Sequence, residues 1–223
     1  KGMLLAVNDL NKFTPQIFCA TGVIKPANVF VIGAGVAGLQ AIATAKRLGA
    51  VVYAADIRPD AVEQAKSLGA KIVDTTIPPS VAIGEGGYAK NLSKEYLLKE
   101  REAIKDIIAQ MDIVFLSALV PGKLAPVIIT EDMVKTMNAG SVIVDIAIDQ
   151  GGNCEITSPG IRDIKYDVVI EGIKNIPGMI SVSSTSMFAA NVFNLINYLT
   201  KDGSIRLDLE DEIVSSILVT IDN

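Results

Sequence analysis

The stretch Val29-Phe30-Val31-Ile32-Gly33-Ala34-Gly35-Val36-Ala37-Gly38 decides the fold. Its first four residues are apolar and read as a short buried strand. The glycines that follow are spaced G-x-G-x-x-G at a strand-to-helix turn, the context in which that pattern carries weight. Gly33 permits the tight turn, Gly35 lacks a Cβ so that a pyrophosphate can approach backbone, and Gly38 lets helix and sheet pack closely. A helix opening at Val36 presents free N–H groups and the positive end of its dipole to an anion, which adds Val36 and Ala37 to the phosphate-binding candidates. The same glycines could form a compact turn with no ligand, but an acidic residue falls at the end of the next strand. Asp56 follows Val51–Ala55, where a carboxylate accepts ribose hydroxyls and repels a 2′-phosphate, so NAD is favoured over NADP. Ile57 and Arg58 come next. Arg58 could host a phosphate, but beside Pro59 it reads as a surface charge.

Outward from this stretch, strands and helices alternate. Helix 36–48 is closed by Gly49 and helix 60–68 by Gly69, each with the glycine expected just past a helix end. Strands are expected at 51–55, 71–73, 113–117, 141–145 and 168–170, and helices at 94–109 and 131–137. This rhythm predicts an α/β fold, a doubly wound, Rossmann-type parallel sheet with helices on both faces. Residues 74–92, with Pro78-Pro79 and Gly84 to Tyr88, break the rhythm and read as a long mobile excursion. A helix at 4–13 ends at Thr14-Pro15, residues 186–199 read as a helix, and 204–221 alternate like one or two strands. The expected organisation is a remnant of another α/β domain at 1–22, a nucleotide-binding domain at 23–185, and a returning helix and tail at 186–223. Doubly wound sheets bind ligands at the carboxyl ends of their strands. That places Ala118, Leu119, Val120 and Pro121 on the nicotinamide side of a crevice, and Gly152 and Asn153 could line it too. Simple turn formation is the alternative for each of them.

Composition narrows the function classes. Net charge is −5, and an acidic surface argues against nucleic acid and anionic lipid as partners. The chain has no histidine, so an imidazole base or metal ligand is excluded within it and no metal is expected. Cys19 and Cys154 lie far apart with no CxxC spacing and read as free thiols. No apolar run reaches the roughly 18 residues of a membrane span, and charges or glycines interrupt every candidate, so no direct span is expected. The opening Lys1-Gly2-Met3-Leu4-Leu5 looks like the middle of a helix, as though sequence precedes it.

The run Val31 to Gly49 resembles the NAD(H)-binding component, domain I, of proton-translocating nicotinamide nucleotide transhydrogenase. So do Asp56 to Pro59, Gly86-Gly87-Tyr88-Ala89-Lys90, Ala118 to Lys123 with Ala125-Pro126, Gly140 to Asp145, Gly151 to Glu155, and the tail Leu207 to Glu212. The resemblance covers almost the whole chain. Residues 86–90 discriminate most, because the related alanine dehydrogenases lack them. The resemblance implies that NADH is held here and its hydride passes to NADP+ on a separate domain III, while a membrane domain couples transfer to proton movement. It implies a homodimer that is cytoplasmic and peripheral to the inner membrane through its partner, on the matrix face if mitochondrial. Gly87 and Tyr88 would lie on the family's mobile loop, a lid over nucleotide. The family's loop of Arg, Gln and Asp at the dihydronicotinamide would precede residue 1.

Transfer between two nicotinamides needs proximity and dryness but no general base, which suits a histidine-free site. Asp145 to Gly152 is nearer to alanine dehydrogenase, where the residue matching Asp149 assists proton chemistry. An alanine dehydrogenase-like oxidoreductase is therefore the alternative, with Asp149 as base; otherwise Asp149 is a solvated loop charge. A third reading is a nucleotide-binding module with no catalysis of its own.

Overall fold

The apolar run ahead of the glycines becomes the centre of a seven-stranded sheet. The structure, a computed structural model, describes residues 1–84 and 87–220. Helix α1 (Gly2–Asp9) leads to an antiparallel hairpin of β1 (Ile17–Cys19) and β2 (Gly22–Ile24). Then come β3 (Asn28–Ile32), α2 (Val36–Arg47), β4 (Val51–Ala55), α3 (Pro59–Ser67) and β5 (Lys71–Ile72). A short α4 (Pro79–Ala82) precedes α5 (Lys94–Ile108), β6 (Ile113–Leu116), α6 (Glu131–Lys135), β7 (Val142–Asp145), β8 (Arg162–Lys165) and β9 (Val168–Glu171).

The sheet order is β5-β4-β3-β6-β7-β9-β8. All neighbours are parallel except β8, which pairs antiparallel with β9 at the edge. The central strands are buried along their whole length, as strands covered on both faces must be. Side chains alternate between two cores. Val29 and Val31 join Ala41, Ile42 and Ala45 of α2 on one face, while Phe30 and Ile32 join Ile104 and Ile108 of α5 on the other. Small residues on the inner stripe of α2, Gly38 and Ala41 among them, bring that helix close to the sheet. The chain leaves β3 toward one face and β6 toward the other. A crevice therefore opens where these two parallel neighbours end, the switch point of a Rossmann-type sheet.

Local signals start the helices. Pro59 opens α3 with Asp60 in its first turn, and Ser93 and Thr130 accept hydrogen bonds from the N–H groups of Tyr96 and Met133 at 3.4 Å each. Helix α1 packs on the sheet itself, with Met3 and Ala6 buried in the same core as Phe115 and Val142.

The chain forms two compact units, Lys1–Ile176 and Pro177–Asn223. The second holds α7 (Ser181–Leu199), a two-residue hairpin of β10 (Thr200–Lys201) and β11 (Ser204–Ile205), and α8 (Glu212–Ile217). The strands expected over 204–221 are thus corrected. Among the described residues of that stretch only Ser204–Ile205 pairs, and Asp211 starts a helix by accepting from the N–H groups of Ile213 and Val214 at 2.9 Å each. Helix α7 begins at Ser181 rather than 186 because its polar first turns continue the helix, with the Ser184 hydroxyl donating to Pro177 O. The helical run Ile176–Leu199 spans 24 residues with a mean hydropathy of 1.3, long and apolar enough to cross a membrane by length and composition. That corrects the expectation that no stretch qualifies: serine, threonine and asparagine interrupt the apolar residues, but no charge does. Cys19 is exposed and Cys154 buried, and both are free.

Candidate functional site

The strand-to-helix turn after β3 is clamped from three sides. Gly33 adopts φ +88°, and a Cβ there would lie 2.7 Å from Ala118 N, so backbone of the neighbouring strand's exit occupies the space. Gly33 N–H donates to Ala55 O at 2.9 Å, and the Ser117 hydroxyl donates to Gly33 O at 2.7 Å. A Cβ on Gly38 would fall 1.9 Å from Gly33 O, so turn and helix touch backbone to backbone. Gly35 differs. It is the N-cap of α2 with no side-chain cap, and a Cβ there would meet only Arg58 Nη2 at 3.9 Å. The helix start therefore stands open, with its first N–H groups free for an anion.

Asp56, at the end of β4, is 5% exposed in its side chain. It accepts from Ala34 N–H at 2.7 Å and from Arg58 through the backbone N–H at 2.8 Å, Nε at 3.0 Å and Nη2 at 2.9 Å. One carboxylate thus ties the turn to β4 and holds a bidentate guanidinium fork. The surface role expected for Arg58 is corrected: its side chain is only 23% exposed and lines the cleft, because Asp56 draws it inward.

These groups border a cleft of about 420 Å³. Gly33, Gly35, Val36 and Ala37 form one wall, and Asp56, Ile57 and Arg58 form another. Ala118, Leu119, Val120 and Pro121 form the side beyond β6, and Tyr88 reaches it from the excursion. That excursion folds back on itself: Ile83 bridges Ala89, and Lys90 N–H donates to Ala82 O at 2.8 Å. Gly87 supports the turn beside Tyr88, its N–H donating to Gly84 O at 3.3 Å, and does not line the cleft; Gly86 lies outside the described residues. Gly38 sits beneath the turn, not on the cleft wall.

Asn153 is placed differently from expectation. It is fully buried, and its carboxamide is fully engaged. Oδ1 accepts from Ala118 N–H at 2.9 Å, and Nδ2 donates to Ala118 O at 2.9 Å and Pro126 O at 2.8 Å. It braces the loop that carries Leu119 to Pro121 and presents nothing to a ligand. Asp145 braces it in turn, accepting from the N–H groups of Ala147, Asn153 and Cys154. Burial pushes the Asp145 carboxyl up, against the pull of those three backbone donors. Asp149 is exposed, accepts from Asn175 N–H at 3.1 Å and does not line the cleft, although Gln150 does.

Sequence reading missed Ser117, Lys90 and above all Glu100, which is 5% exposed and lines the cleft from α5. Its signal was available. Glu100, Ile104 and Ile108 share one stripe of α5, so an acid stands where the helix buries its face. Burial, with the charge of Asp56 nearby, pushes its carboxyl up to about 7 against a small opposing pull from Arg101. The cleft thus combines an open helix start for a phosphate, a carboxylate for a diol, and apolar walls for flat rings.

The family model described as alanine dehydrogenase/PNT, C-terminal domain, matches residues 2–223. The chain is 45% identical over 212 residues to the first portion of the NAD(P) transhydrogenase alpha subunit of Rhodospirillum rubrum, covering 93% of this chain and 55% of that protein. It is 33% identical over 167 residues to the alanine dehydrogenase of Bacillus subtilis, covering 73% of this chain and 39% of that protein. Among solved structures it resembles a transhydrogenase from Sinorhizobium meliloti with a TM-score of 0.80 and 38% identity, over 96% of this chain and 57% of that one. The chain spans about half the length of the curated transhydrogenase relatives it matches.

Proposed function

The chain belongs to the alanine dehydrogenase/transhydrogenase family, and from that premise we propose that it is the NAD(H)-binding component of a transhydrogenase. One observation carries the reading: an uncapped helix start at Gly35 stands beside the buried carboxylate of Asp56. The residues fit a dinucleotide. The space that a Cβ at Gly35 would fill is the approach for a pyrophosphate, and the N–H groups at the start of α2 face it. Asp56 repels a 2′-phosphate and, with part of the Arg58 fork displaced, takes the adenosine ribose hydroxyls, so NAD(H) is preferred to NADP(H). Leu119, Val120 and Pro121 keep water from the nicotinamide end, held in place by Asn153. Bound NADH supplies the hydride, which passes to NADP+ held on a partner domain. No general base is needed from this chain, in keeping with the exposed position of Asp149. A membrane component couples the transfer to proton movement, and two copies of the chain associate at the membrane face through that partner.

The test is titration with NADH and NADPH, following dihydronicotinamide fluorescence. Saturable NADH binding with NADPH at least about tenfold weaker is expected, a difference of about 1.4 kcal/mol. Equal affinities, or no saturation by NADH, would overturn the reading. Adding a purified NADP(H)-binding transhydrogenase domain and an NADP+ analogue then separates transhydrogenase from amino-acid dehydrogenase. Oxidation of alanine with NAD+ and no transfer between nucleotides would reverse the assignment.

A further inference from the structure

Glu100 is the one buried acid of the cleft that the preceding account leaves without a role. It lines the same cleft as Asp56 and Arg58, yet among the described residues its carboxyl makes no ion pair and no side-chain hydrogen bond. Both nearby guanidinium groups are engaged elsewhere. The Arg58 fork is on Asp56, and Arg101 donates through Nε and Nη2 to Val127 O at 3.2 and 2.6 Å. Among the described residues the other charged or titratable groups facing the cleft are Lys90 and Tyr88 from the excursion and Asp56 from the end of β4. Two carboxyls therefore share this cleft with two cations, the Arg58 fork committed to Asp56 and Lys90, which makes no ion pair with Glu100. Asp56 has the Arg58 fork and two backbone donors on its oxygens. Glu100 has neither.

The two groups are then complementary in what they offer. Asp56 acts as an acceptor, with four donors on its oxygens, whereas a neutral carboxyl also has an O–H to donate. Adenosine presents both kinds of partner, hydroxyls that donate and ring nitrogens or ribose oxygens that accept. We propose that Glu100 meets the adenosine half of the nucleotide as a neutral acid, so that NAD(H) binding draws one proton from solvent onto its carboxyl. The inference rests on the NAD(H) reading of the cleft. Nucleotide filling the cavity displaces the remaining water around Glu100, which strengthens its preference for the uncharged form. The free chain carries this carboxyl half-ionised near pH 7, so the linkage falls in the physiological range.

The test is calorimetric titration of the chain with NADH between pH 6.5 and 9, in two buffers of different ionisation enthalpy. Proton uptake should rise from well below one at pH 6.5 toward one at pH 8.5. Above pH 7 the Kd should rise by up to about tenfold per pH unit. Glu100→Gln keeps a donor and cannot ionise, so it should show no uptake and a Kd that does not change between pH 7 and 9. A pH-independent Kd for the unaltered chain, or the same slope in Glu100→Gln, overturns the proposal and leaves the NAD(H) reading standing. Absence of NADH binding at every pH overturns both. The proton count on the unaltered chain needs no variant to fold.

Discussion

Adding one methyl group at either of two neighbouring glycines should separate stability from binding. In Gly38→Ala the new carbon would lie 1.9 Å from Gly33 O and 3.0 Å from Ser117 Oγ. Ordinary carbon contacts lie at about 3.5–4.0 Å, so backbone must move by more than about 1 Å. Gly33 cannot yield freely, because its N–H is bound to Ala55 O and its own carbonyl to Ser117. Overpacking of this kind costs about 1–3 kcal/mol, and a backbone clash belongs at the upper end. Alanine's better helix propensity offsets less than about 1 kcal/mol of that. A net loss of about 2 kcal/mol follows, or about 4–8 °C in Tm for a unit of this size. In Gly35→Ala the new carbon meets nothing nearer than Arg58 Nη2 at 3.9 Å, so stability should stay within about 0.5 kcal/mol. Its methyl does occupy the phosphate approach, and NADH affinity should fall at least about tenfold. Thermal and urea melts followed by far-UV circular dichroism give the first quantity, and NADH fluorescence gives the second. A Gly38→Ala protein that melts with the parent would refute the clamp. A Gly35→Ala protein that binds NADH normally would refute the anion site.

Two further outcomes follow from the cleft's supports. Asn153→Ala leaves Ala118 N–H, Ala118 O and Pro126 O without their partner, and should destabilise by about 3 kcal/mol while weakening NADH binding through the loosened loop; equal midpoints in urea would show that water replaces the amide at no cost. Glu100→Gln should change the pH dependence of stability. The folded carboxyl sits at about 7 against its ordinary 4.5, so its contribution is fully present below 4.5 and lost as pH rises through 7. That rise corresponds to about 3 kcal/mol, so the variant should be more stable than the parent at pH 8 and keep less than about 1 kcal/mol of that advantage at pH 5. Urea melts at the two pH values check it, and a pH-independent difference would contradict the buried-acid account.

What could be read from sequence was what is local. The glycine spacing, the apolar run of β3 and the acid ending β4 lie within 28 residues of each other, from Val29 to Asp56. Helix ends were equally local, signalled by Gly49 and Gly69. Elements whose pairing is decided elsewhere were missed. The β1–β2 hairpin consists of two three-residue strands that bury nothing fully, and β8 is a charged edge strand ordered by its partner β9. Glu100 was passed over for a related reason. Its stripe shows that it is buried, but only the fold shows that the burial is beside Asp56.

Asn153 shows the limit most clearly. A polar residue in a glycine-rich loop at a strand's carboxyl end can face the crevice or brace it, and both outcomes share one local pattern. The choice is made by the other loop. Residues 118–126 contain Pro121 and Pro126, which have no N–H to donate, and the irregular chain between them leaves Ala118 and Pro126 carbonyls without regular partners. Buried carbonyls need donors. A carboxamide supplies two donor hydrogens and an acceptor on one short side chain, which matches two carbonyls and one N–H of that loop. Asn153 is therefore drawn out of the cleft by the backbone deficit of a segment 35 residues away. A search for binding residues should first ask which irregular loops nearby cannot satisfy themselves.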